Sequence, residues 1–334
     1  MARRRIFPIF IPHLGCPNAC VFCDQRRISG SPLPASGADV TEKLRGAEAQ
    51  GFRDMELAFY GGSFTAIHPA EQEELLSAAQ PVLARGTVSS IRLSTRPDAI
   101  DRSVLDRLRR FHVTTVELGA QSMCDDVLLA SGRGHTAGDT ERASAMLKEG
   151  GFSLILQMMT GLPGSDMKLD ILSARRIAAL KPDGVRIYPT VIMENTALYD
   201  MWRAGIYREH TVEDAVSVCA DILSVFRAAG IPVIRLGLNP TEELSGGAAA
   251  GGAYHPALGE MVRSELLRRE AASLMEGVPP GARVTVTVSP ERVSAMTGQH
   301  RRNILALTEA FSLSNLRVRG EPGTGERILV DWTT

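Results

Sequence analysis

The stretch GCPNACVFCDQRRISG, residues 15–30, contains three of the chain's five cysteines, Cys16, Cys20 and Cys23, in the spacing C-x3-C-x2-C. Thiols that are clustered in this way are typical of a metal or redox site, whereas a disulfide framework spreads its cysteines along the chain. Soft thiolate ligands favour an iron–sulfur cluster or zinc. Three protein ligands would leave one metal position open for an exogenous group.

Other interpretations of the cysteines stay open at this point. His13 as a fourth ligand would complete a zinc site, and buried unligated thiols are the third possibility. Cys219 lies in the apolar helical segment VEDAVSVCADILSVF, which predicts a small core residue. Cys124 follows a predicted strand near the site, where either a redox role or no role fits.

Outward from the cysteines, strand-like and helical segments alternate regularly. This alternation predicts a parallel sheet with right-handed crossovers. Six or seven units favour an α/β fold of the partial (β/α) TIM-like barrel type over a short flat sheet. The predicted strands are residues 6–11, 55–62, 90–97, 114–122, 152–164, 184–192 and 231–238, and the predicted helices are 38–50, 69–84, 99–110, 138–150, 167–180 and 212–229.

The pattern changes after residue 240. ELSGGAAAGGAYHP, residues 243–256, is rich in glycine and alanine and is predicted to be a mobile loop. A helix over 257–275, a strand over 284–289, a helix over 300–311 and strands over 316–320 and 328–332 then predict a small α+β unit. We therefore expect a barrel domain over residues 1–240 and a C-terminal α+β domain over residues 241–334.

Charge and hydropathy exclude some classes of protein. The formal net charge of −1 argues against a protein that coats polyanions. The N-terminus lacks a small-residue cleavage site, and no apolar run approaches about 18 residues, which predicts a cytoplasmic protein without a membrane span. Three local basic patches remain as candidate RNA contacts or as solvated surface: Arg3, Arg4 and Arg5; Arg26 and Arg27; and His300, Arg301 and Arg302.

An ordered set of further motifs accompanies the cysteines. They are AFYGGSF (58–64), STRPD (94–98), VELGAQS (116–122), RGHT (133–136), GLPG (161–164), IYPT (187–190) and LYDMWRAGIY (198–207). With Phe22 directly before the last cysteine of the cluster, this set resembles the radical S-adenosylmethionine (SAM) superfamily. Over residues 1–240 it is similar to the radical SAM part of the Elongator catalytic-subunit family, and more broadly to oxygen-independent coproporphyrinogen dehydrogenases.

The resemblance implies a 4Fe-4S cluster and SAM as cofactors, and a reductant such as flavodoxin or ferredoxin as partner. It implies an enzyme that cleaves SAM reductively to a 5′-deoxyadenosyl radical and modifies a tRNA base. No segment matches the acetyltransferase domain of that family, so the group added is not implied. Two alternatives stay open: radical chemistry on a small molecule, and an iron–sulfur binding or electron-transfer protein that does not cleave SAM.

Residue by residue, the resemblance implies that the three clustered cysteines hold the cluster and that strand-end groups hold SAM. Glu117 is a buried charge that needs a partner, and a structural ion pair is its second interpretation. Tyr188 fits either a substrate contact or core packing. The implied SAM contacts are Gly61 and Gly62 with its amino group, Ser94 and Arg96 with its ribose or methionine part, Gln121 and Gln157 with the ribose hydroxyls, and Arg133 with its carboxylate. Gln157 departs from the acidic residue that some relatives carry.

The tail contains two further candidates. His255 precedes a helix and is either a proton-handling group or a surface residue at a helix start. Arg301 and Arg302 also lie at a predicted helix start, where an anion would find both guanidinium groups and free backbone N–H groups. RNA phosphate, a small acidic substrate and a plain solvated helix end are the three interpretations of this segment.

Overall fold

A curved seven-stranded parallel sheet forms the main body of the molecule. The computed structural model describes residues 5–17, 20–24, 30–31, 33–238 and 249–334. The strands are β1 (Ile6–Phe10), β2 (Met55–Tyr60), β3 (Val88–Thr95), β4 (Val113–Gln121), β5 (Ser153–Thr160), β6 (Gly184–Pro189) and β8 (Val233–Leu236). Their order in the sheet is β1-β2-β3-β4-β5-β6-β8.

Helices connect successive strands, and polar side chains fix where several of them begin. The helices of this region are α1 (Gly37–Ala49), α2 (Pro69–Ala84), α3 (Arg102–Arg110), α4 (Asp125–Ala130), α5 (Ala137–Glu149), α6 (Met167–Ala179), α7 (Ala197–Arg203) and α8 (Val212–Ala228). Ser36 and Asp39 form a capping box at the start of α1, as Thr136 and Asp139 do at α5.

One hydrogen bond shows how strongly this sheet curls. Arg186 on β6 donates to the hydroxyl of Tyr60 on β2 at 2.9 Å. Four strand spacings separate β2 from β6, which is about 19 Å in a flat sheet. Side chains meet across that gap only because the sheet closes into a half-barrel. The partial TIM-like barrel expected from the alternation is therefore confirmed.

A two-stranded antiparallel ribbon, β7 (Val191–Met193) with β9 (Ala249–Gly252), corrects part of the sequence prediction. The composition of residues 249–252 predicts a mobile loop, and that prediction is wrong for them. Gly252 has a positive φ of 84°, and an added Cβ there would lie 2.7 Å from the Thr190 carbonyl oxygen. The glycines thus permit close pairing rather than mobility.

The C-terminal residues form a small mixed sheet packed on helices. In this sheet β10 (Arg283–Val288) lies between two neighbours, parallel to β11 (Asn315–Gly320) and antiparallel to β12 (Leu329–Thr333). The helices are α9 (Leu258–Leu274), the short α10 (Val293–Thr297) and α11 (Arg302–Ala310). Their common core includes Leu267, Val286, Met296, Leu307 and Leu316.

The chain divides into two compact units, and each unit is built from two separate segments of the chain. The first comprises residues 1–211 and 225–254, and the second comprises 212–224 and 255–334. Helix α8 therefore contributes to both units. The predicted boundary between residues 240 and 241 lies in segment 239–248, outside the described residues. In the described part of the chain, no helix is both long and apolar enough to cross a membrane.

Candidate active site

The cysteine loop, residues 11–24, is docked on the carboxyl end of β2 by backbone hydrogen bonds. His13 N–H donates to the Gly61 carbonyl at 2.9 Å, and Ser63 N–H donates to the Leu14 carbonyl at 2.9 Å. A Cβ added to Gly62 would lie 2.5 Å from the carbonyl oxygens of both Ile11 and Leu14. Gly62 is therefore required for the loop to approach the strand, a physical reason that the sequence did not reveal.

None of the three cysteines on this loop forms a disulfide. The Cys16 Sγ lies 3.4 Å from the Ser63 Oγ, and the Cys20 Sγ accepts from Arg133 Nη1 at 3.2 Å. Cys16 is exposed, whereas Cys20 and Cys23 are half-buried. Among the described residues, no group of three or more His, Cys, Asp or Glu side chains is placed to hold a metal ion.

Two neighbouring elements hold the second half of the cysteine loop at Val21. Its N–H donates to the Ser131 carbonyl at the end of α4, at 3.1 Å. Its carbonyl accepts from the N–H of Leu198, in the first turn of α7, at 2.8 Å. Phe22 packs beside it against Leu198 and Tyr207. These contacts fix the backbone between Cys20 and Cys23 against α4 and α7.

Arg133 and Gln121 both lie close to Gly119 near the end of β4, and Arg133 also contacts Cys20. Arg133 Nη2 donates to the Gly119 carbonyl at 3.0 Å, which leaves its buried Nε without a partner in the described structure. Gln121 adopts a positive φ of 61°, and its buried Oε1 likewise has no partner there. Two buried, unpartnered polar atoms at this strand end fit a polar ligand such as SAM. The three thiols fit an iron–sulfur cluster by the chemistry of their sulfur atoms.

Of the other predicted SAM contacts, the side chains of Ser94 and Arg96 have partners within the protein. Ser94 Oγ donates to the Phe59 carbonyl at 3.3 Å. The buried Arg96 makes two hydrogen bonds to Asp98, at 2.5 and 2.8 Å. Gln157 is half-buried on β5, where it pairs in register with Gly119 and with Arg186. Their assigned contacts with SAM stay predictions.

Comparison with known proteins identifies the family. Residues 10–172 match the family model described as "Radical SAM superfamily", and residues 182–268 match "Radical_SAM C-terminal domain". The chain belongs to the radical SAM superfamily. Members of this superfamily bind a 4Fe-4S cluster and SAM.

The curated relatives of this radical SAM chain include tRNA-modifying proteins. The tRNA uridine(34) acetyltransferase of Methanocaldococcus jannaschii is 35% identical over 136 residues, which cover 40% of this chain and 25% of the relative. Elongator complex protein 3 of Homo sapiens is 32% identical over 138 residues, with coverages of 40% and 25%. The chain therefore spans about a quarter of the length of these relatives.

Two solved structures support the radical SAM fold. The Elp3 of Methanocaldococcus infernus, with an N-terminal deletion, superposes with a TM-score of 0.63 at 22% identity and covers 80% of this chain and 63% of that chain. Coproporphyrinogen III oxidase (HemN) of Escherichia coli superposes with a TM-score of 0.52 at 16% identity and covers 82% and 76%. At sequence identities of 22% and 16%, these superpositions show a shared fold and nothing about substrate.

A charged network spans the interior of the radical SAM half-barrel. Glu117 accepts from Tyr60 at 2.9 Å and from Arg92 and Arg186 at 2.8 to 2.9 Å, and Arg92 also pairs with Glu56 at 2.7 Å. The structural ion-pair interpretation of Glu117 is thus confirmed. Burial raises the pKa of the Tyr60 hydroxyl, and the nearby Glu117 carboxylate adds to the rise. Tyr60 therefore stays neutral and acts as a hydrogen-bond donor.

Tyr188 belongs to the same interior but also to the core. Its ring packs with Phe22 and Leu169 against a buried apolar cluster, and its hydroxyl lies 3.5 Å from Arg186 Nη1. Burial raises its pKa. The core-packing interpretation of Tyr188 is thus confirmed, and its contact with a substrate stays a prediction.

The GLPG turn is held by residues that the sequence did not identify. Asp170 on α6 accepts from the Gly161 N–H at 2.9 Å and from the Ser165 hydroxyl at 2.5 Å. The Tyr207 hydroxyl donates to the Gly161 carbonyl at 2.6 Å. Burial raises the pKa of Asp170 to about 6. Both partners of Asp170 lie on the preceding turn, and no sequence motif for this arrangement was recognised.

His135, in the RGHT motif two residues after Arg133, is buried. The His135 Nε2 lies 3.2 Å from the Ala120 carbonyl oxygen. Burial, aided by the Arg133 charge, lowers the pKa of His135 to about 4. At neutral pH the imidazole is therefore uncharged, and its Nε2–H donates to that carbonyl, which lies beside Gln121.

This burial predicts a pH dependence of stability. Because the unfolded histidine has a pKa of about 6.5, the unfolded chain binds a proton that the folded chain does not, and stability falls between about pH 6.5 and 4 by up to about 3 kcal/mol. His135→Gln keeps a donor for Ala120 but cannot titrate, so its free energy of unfolding should fall less over that range. Urea unfolding of both proteins at several pH values checks this, and parallel curves would contradict it.

The remaining sequence candidates are placed as follows. His255 Nδ1 accepts from the Ala257 N–H at 3.1 Å, which favours a helix-start role. Cys219 is fully buried in α8, as predicted. Cys124 is half-buried at the start of α4, 3.7 Å from the Ser173 hydroxyl, so neither interpretation of it is decided.

The two basic patches near the N-terminus lie mostly outside the described residues, which exclude Arg3, Arg4, Arg26 and Arg27. The guanidinium group of Arg5 lies over the ring of Phe52, 4.2 Å from its centroid.

The helix start at residues 300–302 has a mixed environment. His300 and Arg301 adopt left-handed conformations, with φ of 51° and 62°, directly before α11. Arg302 lines a cavity of about 50 Å³ together with Glu260 and Glu265. Two carboxylates beside the arginine make this cavity a poor place for a phosphate. The anion-site interpretation of this segment therefore has no support from its surroundings.

Proposed function

We propose that this chain is a radical SAM enzyme that cleaves SAM reductively and modifies a tRNA base. Cys16, Cys20 and Cys23 would hold the 4Fe-4S cluster. When bound, the cluster supplies the electron that cleaves SAM to methionine and a 5′-deoxyadenosyl radical. The observation that carries the proposal is the pair of buried, unpartnered atoms at the end of β4, Gln121 Oε1 and Arg133 Nε, together with the contact of Arg133 with the Cys20 thiol.

Arg133 and Gln121 suit two different parts of SAM. The Arg133 guanidinium suits a carboxylate by charge and by planar geometry. Gln121 can accept a hydrogen bond from a ribose hydroxyl through its free Oε1. The tRNA part of the proposal is supported by the curated relatives, whose names assign them to tRNA uridine(34) and to the Elongator complex. Because the chain spans only a quarter of those proteins, the proposal does not extend to transfer of an acetyl group.

The test is 5′-deoxyadenosine formation by the anaerobically reconstituted protein with dithionite and SAM, with and without unfractionated tRNA. We expect nucleoside formation that tRNA stimulates. Nucleoside without any effect of tRNA would favour radical chemistry on a small molecule. No nucleoside from a protein with a verified cluster would favour an electron-transfer or binding protein. Flavodoxin or ferredoxin in place of dithionite tests the proposed reductant.

Arg133 provides a second test of the site. Arg133→Ala should weaken SAM binding about 10- to 100-fold, because a charge-assisted pair with the carboxylate is lost. Equilibrium dialysis of SAM against the cluster-loaded variant measures this. Arg142→Ala, in the exposed pair of Arg142 with Asp139, is the matched control and should leave SAM affinity unchanged. Equal affinities of all three proteins would remove the carboxylate role from Arg133.

A further inference from the structure

The sheet of the second unit has one face packed on helices and one face open. Val284, Val286 and Leu316 point to the helices and belong to the buried core. Because side chains alternate along a strand, the intervening residues lie on the opposite face. We call this opposite face the arginine face; it carries Arg283, Thr285 and Thr287 on β10, Asn315, Arg317 and Arg319 on β11, and Leu329, Asp331 and Thr333 on β12.

The guanidinium groups on the arginine face are available to a ligand. All three arginines are exposed. Within the described residues, the side chains of Arg283 and Arg317 make no hydrogen bond or ion pair. The side chain of Arg319 forms an exposed ion pair with Glu321 at 3.0 Å. Such an exposed pair exchanges readily with water and other anions.

The pairing of β10 with β11 and β12 determines how far apart the charged side chains of the arginine face lie. Arg317 and Arg319 are two residues apart on one strand, which separates them by about 7 Å on the same face. Arg317 pairs in register with Thr285, which in turn pairs with Asp331. The single carboxylate within the three strands of this face is therefore two strand spacings, about 10 Å, from Arg317. Thr285, Asn315 and Thr333 add accessible neutral hydrogen-bonding side chains to this face, whereas Thr287 is buried.

We infer that the arginine face binds the phosphate backbone of RNA. This inference rests on the proposed function, in which the substrate is a tRNA. Guanidinium groups bind phosphate oxygens in a planar, bidentate geometry, and hydroxyl and amide side chains are common additional phosphate contacts. The three strands lie outside both family matches, which end at residue 268. Phosphate contacts there would hold the RNA without reading its sequence.

The test is the salt dependence of tRNA binding by the full, cluster-loaded chain. Fluorescently labelled unfractionated tRNA is titrated at about 50–200 mM salt with the wild type and with the Arg283→Ala, Arg317→Ala, Arg319→Ala triple variant. We expect affinity to fall about tenfold or more, and the slope of log K against log salt to become shallower by about 2 to 3, one charge per lost contact. The corresponding triple lysine variant keeps the charges and should keep most of the slope.

A matched control removes three other exposed arginines of the same unit, Arg263, Arg301 and Arg302. We expect this variant to bind tRNA as the wild type does. An equal loss in the control would show a response to net charge alone and would overturn the inference, as would wild-type affinity of the arginine-face variant. Polyglutamate that competes as well as tRNA, charge for charge, would assign the face to an acidic protein instead.

Failure of the inference can be told apart from failure of the proposed function. If tRNA stimulates 5′-deoxyadenosine formation and binds the wild type, but the arginine-face variant binds it equally, the inference alone is wrong. If tRNA neither binds the wild type nor stimulates nucleoside formation, the tRNA substrate is wrong and the inference is wrong with it. Circular dichroism confirms that each variant is folded before its affinity is compared.

Discussion

Gly62→Ala should abolish cluster loading of the reconstituted protein. The added methyl group would lie 2.5 Å from the carbonyl oxygens of Ile11 and Leu14, both of which are backbone atoms and cannot rotate away. The cysteine loop must therefore lift from the end of β2, which moves Cys16 away from Ser63. Overpacking of this kind also costs about 1–3 kcal/mol of folding stability. Iron and sulfide per chain, with urea unfolding of the apoprotein, measure both effects.

Gly46→Ala is the matched control for this prediction. Gly46 lies inside α1, where an added Cβ would meet nothing within 4 Å. Alanine is favoured over glycine within a helix by about 0.5–1 kcal/mol, so this variant should be slightly more stable and load its cluster normally. Normal iron content in Gly62→Ala would show that the loop accommodates the methyl group and that the glycine serves another purpose.

Glu117→Gln should destabilise the half-barrel more than Gly62→Ala does. The carboxylate of Glu117 is 2% exposed and faces the guanidinium groups of Arg92 and Arg186. Arg92 keeps a pair with Glu56, but Arg186 loses its carboxylate partner and stays in the barrel interior. Removing one partner of a buried ion pair costs about 3–5 kcal/mol, because a buried charge is left uncompensated. That is a large part of the total stability of most domains.

Thermal and urea unfolding of the apoprotein measure the effect of Glu117→Gln. Glu141→Gln, in the exposed pair of Glu141 with Arg176, provides the control and should change stability by less than about 1 kcal/mol. Equal, small losses in the two variants would mean that water enters the barrel interior and screens the network. Because Gly119 and Gln121 follow on the same strand, we also expect Glu117→Gln to weaken SAM binding.

The sequence predicted the repeating architecture well, because strand and helix periodicities are local properties. The seven parallel strands of the half-barrel lie close to their predicted positions, and buried strand residues such as Leu57 and Leu93 belong to apolar runs. Short elements were missed: α4, α7 and β9 are each seven residues or fewer, and most of β7 was predicted only as the end of the strand over 184–192. Their patterns are too brief to distinguish from loops, and the glycines of β9 resemble a flexible linker.

The sequence predicted the cysteine ligands of the site but not the residues that hold the cysteine loop in place. The spacing of Cys16, Cys20 and Cys23 is readable from the sequence because all three lie on one short loop. The contacts that hold this loop come from Ser131, Leu198 and Gly61, which are distant along the chain. Nothing local to those residues reveals that their backbone groups bind the loop.

The sequence alone therefore determined the family, the parallel α/β architecture and the three thiols, because each depends on residue type and spacing within a short segment. Tertiary structure alone decided that Gly62 admits the cysteine loop and that Glu117 neutralises arginines from β3 and β6. It also decided that three exposed arginines share one face of the C-terminal sheet. These facts depend on the curl and register of the sheets, which bring together residues that are far apart in the chain.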